Sequence, residues 1–75
     1  MASDGEDVTG TEDKDYTVIW FTEACLSNAQ RLQTYIEDAQ RAGNAELEEF
    51  FKKAQAESRK GAELGKQMLR TLLGS

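Results

Sequence analysis

The sequence predicts an all-α protein, an antiparallel two-helix hairpin that dimerises into a four-helix bundle. Three observations predict it. There is no proline among the 75 residues, and Ala, Leu, Glu, Lys, Gln and Arg dominate the last sixty, all strong helix formers. Apolar residues recur at three- and four-residue spacing on both sides of one short break. That break, Ala42-Gly43-Asn44-Ala45, carries the chemistry of a helix stop followed at once by a helix start.

The first fifteen residues differ from the rest. They hold Asp4, Glu6, Asp7, Glu12, Asp13 and Asp15 against Lys14, a net charge of −5, while residues 16–75 balance eight acids against eight bases. Gly5 and Gly10 interrupt the stretch, and Val8 is its one aliphatic residue after the start. Such a segment buries too little apolar surface to offset its ordering entropy. Residues 1–15 are therefore expected to be a disordered acidic tail, either solubilising or docking on a basic surface. Residues 16–75 are expected to form the hairpin.

Helix 1 is expected over about 16–42. Asp15 or Thr17 can cap it, and the preceding acids suit the positive end of a helix dipole. Val18, Phe21, Cys25, Leu32, Tyr35 and Ala39 form one face, widened by Ala29 and Ile36. Glu37 and Arg41 stand four apart in the favourable order. The run Val18-Ile19-Trp20-Phe21 has a local strand signal, with no second strand signal to pair with it.

The turn is placed at 43–44. Gly43 suits the left-handed residue after a helix C-terminus, and Asn44 suits the next N-cap. Glu46, Glu48 and Glu49 then load the first turn of helix 2 with negative charge. So short a connection makes the helices antiparallel neighbours.

Helix 2 is expected over about 45–73. Its stripe is Leu47, Phe50, Phe51, Ala54, Ser58, Gly61, Leu64, Gly65, Met68, Leu69 and Leu72. Glu48–Lys52 and Glu49–Lys53 are surface pairs four apart. Lys66 and Arg70 suit the negative end of the helix. Mid-stripe the residues are small. Each glycine costs a helix about 1 kcal/mol relative to alanine, which is compensated if another helix passes close to Gly61 and Gly65.

One hairpin leaves too much apolar surface wet. Val18, Ile19, Trp20 and Phe21 point in all directions around helix 1, and antiparallel pairing sets them opposite Met68, Leu69, Leu72 and Leu73. A cluster of that kind marks an interface, and these eight residues are the expected oligomer contact. A two-fold dimer is the simplest closed solution. With a single cysteine no intrachain disulfide can form, so self-association is the remaining staple for a chain this small.

Chemical signals are weak. The absence of histidine removes the usual neutral-pH general base and the commonest metal ligand. Cys25 falls on an apolar face and reads as a small buried hydrophobe. Asn28 lies close to the helix 1 stripe, placed to fix register across a dimer axis or simply exposed at its edge. There is no phosphate-cradling loop, nucleophile elbow or Cys/His ligand spacing. Basic residues are spread among acids, and the acidic tail would repel phosphates, so no nucleic-acid partner is expected. No apolar run is long enough for a membrane span, and the N-terminus does not read as a signal peptide, so a cytoplasmic protein is expected.

One family resemblance is present. Glu23, Tyr35, Ala39, Gly43, Phe51, Ala54 and Glu57-Ser58-Arg59-Lys60 resemble half of a ferritin-like bundle of the rubrerythrin type, covering rather more than half the chain. That resemblance implies a carboxylate metal site with Glu23 and Glu57 as ligands. Lys60 stands where the family's motif has histidine, and a protonated lysine repels a cation. Glu57 is then better read as paired with Lys60 or a residue across the bundle.

The expected function is a non-catalytic, self-associating helical interaction or scaffolding protein, not an enzyme and without a cofactor. The alternatives are a ferritin-like carboxylate metal protein and a small regulator that pairs its hairpin with another protein.

Overall fold

The structure is a computed structural model, and it describes residues 3–74, with side chains from residue 14. Two helices account for it: α1, Ser3–Arg41, and α2, Ala45–Gly74. The chain is all-α and folds as a helical hairpin, with no strand among the described residues.

The turn is built as its residues dictate. Gly43 has φ +70°, a conformation glycine adopts without a Cβ penalty. The Gly43 N–H donates to Gln40 O and the Asn44 N–H donates to Ala39 O, both at 3.0 Å. Together these bonds make a Schellman motif, which satisfies carbonyls that the end of α1 would leave unpaired. Asn44 then caps α2, its Oδ1 accepting from the Leu47 N–H at 3.0 Å. One residue thus closes one helix and opens the next, and the two helices must run antiparallel.

The least exposed positions repeat every three and four residues. On α1 they are Asp15, Val18, Thr22, Cys25, Ala29, Leu32, Ile36 and Ala39. On α2 they are Glu48, Phe51, Gln55, Ser58, Ala62, Gly65, Leu69 and Leu72, with Ala54 and Gly61 on α2 and Ser27 on α1 half-buried beside them. The seven-residue repeat they follow is the seam of an antiparallel coiled pair. Its most buried side chains are Ala29, Leu32, Ile36, Ala39 and Ala62.

Close approach depends on Gly65 and Gly61. A Cβ on Gly65 would overlap Thr22 Oγ1 and stand 3.0 Å from Thr22 Cβ and 3.4 Å from its Cα. A Cβ on Gly61 would stand 2.8 Å from Cys25 Sγ and 3.5 Å from the Phe21 ring. The helix passing close is α1, as the small residues implied.

The structure corrects the expected face of α2. Leu47, Phe50, Leu64 and Met68 were assigned to the stripe facing α1 but are exposed. The seam is rotated toward Gln55 and Ala62, neither of them expected there. Gln55 can be buried because its Nε2 donates to Ala29 O at 2.9 Å and to Gln33 Oε1 at 3.0 Å. Thr22, also unexpected, is buried with its hydroxyl donating to Val18 O at 2.8 Å.

The helix ends differ too. Helical backbone begins at Ser3 rather than near Tyr16, so residues 3–15, expected as a disordered tail, continue α1. No proline interrupts them, and their acids lie toward the positive end of the helix dipole. Residues 1 and 2 of that expected tail lie outside the described residues. At the other ends α1 stops one residue before, and α2 runs one residue past, the expected limits, within the ordinary fraying of helix termini.

Candidate interaction surface

The two helices meet at matched levels, Thr22 against Gly65, Asn28 against Ser58 and Tyr35 against Phe51. The seam therefore has two flanks of different chemistry.

The first flank is polar near the turn, with Leu26 and Ile19 exposed farther out along it. Gln40 Nε2 donates to Glu48 Oε2 at 2.9 Å, and Gln33 and Gln55 are hydrogen-bonded beside it. Glu48 also pairs with Lys52 at 2.9 Å. The Gln40 amide first, then Lys52, holds the Glu48 carboxyl below the usual value, and Glu48 in turn raises Lys52. Lys52, Arg59 and Lys66 follow one another at seven-residue intervals along this side.

The second flank is apolar. Phe21 and Tyr35 on α1 stand beside Leu47, Phe50, Leu64 and Met68 on α2, all of them substantially exposed: 50 % for Phe21, 61 % for Phe50, 57 % for Leu64. Near the turn, Tyr35, Phe51 and Phe50 form an aromatic cluster with ring centroids 5.4 and 5.3 Å apart in successive pairs. Three shallow grooves lie end to end along this side. One is walled by Thr17, Val18, Phe21, Leu64, Gly65 and Met68. The next runs past Cys25, Asn28, Arg31 and Ser58, and the last past Tyr35, Ala42, Leu47 and Phe51.

The expected contact residues divide among three environments. Val18, Leu69 and Leu72 lie half-buried in the seam between α1 and α2. Phe21 and Met68 border the apolar flank. Ile19, Trp20 and Leu73 are exposed elsewhere. Trp20 is 65 % exposed and turned away from the seam, with Tyr16 stacked on it at 6.0 Å. Tyr35, Leu47, Phe50 and Leu64 were absent from the expected contact. Their signal, an apolar stripe on α2 wider than one seam needs and, for Tyr35, the apolar face of α1, is present in the sequence but was assigned to the core.

Glu23 and Glu57 do not converge. Glu57 lies level with residues 29–30 of α1, about 10 Å along the axis from Glu23 at 1.5 Å per residue. Glu23 is exposed and accepts from Ser27 Oγ at 2.7 Å. Among the described residues no group of three metal-binding side chains comes together. Cys25 is half-buried against Gly61. Asn28 is exposed and donates from Nδ2 to Ser58 Oγ at 2.8 Å, within one chain.

Of the expected surface pairs, Glu48–Lys52 forms. Arg41 pairs with Asp38 rather than Glu37, and Lys66 with Glu63 at 3.6 Å. Glu49–Lys53 and Glu57–Lys60 are not among the ion pairs of the described residues. No helix is long and apolar enough to cross a membrane among those residues. Comparison with family models, curated proteins and solved structures finds no match.

Proposed function

We propose that this chain is a non-catalytic helical interaction module that works by self-association, two hairpins closing into a four-helix bundle. The observation that carries this reading is the apolar flank, with Phe21, Leu64 and Met68 exposed toward one end and Tyr35, Leu47 and Phe50 toward the other. Exposed patches of this kind mark interfaces.

Sedimentation equilibrium across the micromolar range tests the reading. A mass near twice 8.4 kDa is the expected result. A folded helical monomer throughout would overturn it. Such a monomer, isolated in stoichiometric complex with a different protein, would instead identify the hairpin as a regulator that pairs with foreign helices.

A further inference from the structure

The apolar flank carries few charges: Asp38 borders the groove near the turn and is paired with Arg41, and the unpaired charges nearer the middle say how a second copy sits on it. Arg31 borders the central groove on the α1 side. Glu57 lies on the α2 side, midway between the exposed Phe50 and Leu64 at seven-residue spacing, and so on their face. Both are exposed, and neither belongs to an ion pair of the described residues.

Two face-to-face packings have two-fold symmetry. In one, the axis runs along the helices, both turns lie at the same end, and α1 covers the partner's α2 at an unchanged level. In the other, the axis crosses the helices, the turns lie at opposite ends, and α2 covers the partner's α2 reversed about the middle of the flank.

The charges separate them. Residue levels on α1 and α2 match so that Arg31 lies within one or two residues of the level of Glu57, which sits just beside the Asn28–Ser58 contact. Same-end packing therefore sets Arg31 against Glu57 of the partner subunit, twice by symmetry. It also sets Phe21 over Leu64 of the partner subunit, and Tyr35 over its Phe50. Opposite-end packing sets Glu57 near Glu57 of the partner subunit at the centre, a like-charge contact. Resting on the self-association reading above, we propose that the occupant of the apolar flank is a second copy in the same-end arrangement, selected by reciprocal Arg31–Glu57 pairing. That arrangement gathers both acidic N-terminal stretches at one end, a repulsion that salt screens beyond about 8 Å.

Charge complementation in a mixture tests it, using the full chain. R31E alone places Glu against Glu57 in its own dimer, and E57R alone places Arg against Arg31. Each homodimer should weaken about tenfold relative to the unsubstituted chain. Mixed together, the two variants should form a heterodimer in preference to either homodimer, read by native mass spectrometry, because both contacts are then attractive. Circular dichroism checks that each variant is helical. In a C25S background, spin labels on L73C should lie within about 30 Å across a same-end dimer and beyond about 40 Å across an opposite-end one. A random mixture of dimers, or the long distance, overturns the proposal while leaving self-association intact. A monomeric unsubstituted chain removes the self-association reading and this proposal with it. A foreign protein filling the flank in place of a second copy overturns the proposal as well.

Discussion

The two flanks of one seam solve the same packing problem in opposite ways. On the polar flank, Gln33, Gln40, Gln55 and Glu48 bond across the helix pair, so the half of that side near the turn is satisfied within a single hairpin. On the apolar flank the cross-pair contacts are ring packing at Tyr35–Phe51 and one exposed hydrogen bond at Asn28–Ser58, with large side chains left beside open grooves. A helix pair can satisfy polar groups locally, but it cannot cover a hydrophobic face wider than its own seam. That difference is what the proposed self-association rests on.

The sharpest way to break the comparison is to make the second flank resemble the first. Replacing Phe50 and Leu64 together by serine should raise the dimer dissociation constant at least a hundredfold, measured by sedimentation, because central apolar anchors carry most of an interface's energy. Trp20→Ala should change it less than threefold, since Trp20 faces away from the groove. The reverse ranking would place the interface at the open end instead.

Next in size is the seam itself. Gly65→Ala should destabilise the hairpin by about 1–3 kcal/mol in urea unfolding, because the new methyl meets Thr22 close to its backbone. Gly61→Ala should be close to neutral. There the obstacle is the thiol of Cys25, which can rotate, and alanine returns about 1 kcal/mol of helix propensity. Equal losses at both sites would mean the two glycines hold the helices equally close.

A smaller effect belongs to the cap. Asn44→Ala should cost about 1 kcal/mol, the usual value of an N-cap side chain, read as a lower unfolding midpoint at unchanged slope. The smallest concerns the polar flank. Glu48 has a lowered folded pKa, so its contribution is present above the unfolded value and fades as pH falls through the folded one. Lys52 is raised, so its contribution is complete below its unfolded value and lost as pH rises through the folded one. Thermal melts of Glu48→Gln and the unsubstituted chain should therefore differ slightly at neutral pH and converge in acid.

How much of this was legible depended on whether the signal was local. Gly43 and Asn44 act through their own backbone and side chain, and the turn follows from them directly. Gly61 and Gly65 also spoke plainly, because a helix keeps glycine at a cost. The rotation of α2 did not. Its large apolar residues suggested a seam through Leu47, Phe50, Leu64 and Met68, yet bulky side chains hold helices apart while Ala62, Ser58 and Gly65 let them approach. Burying Gln55 depends on a carbonyl at Ala29, on the other helix, a partner no linear pattern reveals. The apolar flank was overlooked for the same reason. Reading Phe50 and Leu64 as core left the open end as the visible exposed cluster.

The double role of Asn44 has a further consequence, for the order in which the molecule opens and closes. Every contact across the pair is a loop closure measured from that residue, short for Tyr35 with Phe51 and more than forty residues long for Thr22 with Gly65. Loop-closure entropy grows along the same line. The chain should therefore zip from the turn outward and fray from the far end inward, with amide protection against exchange declining steadily from Leu32 to Val18.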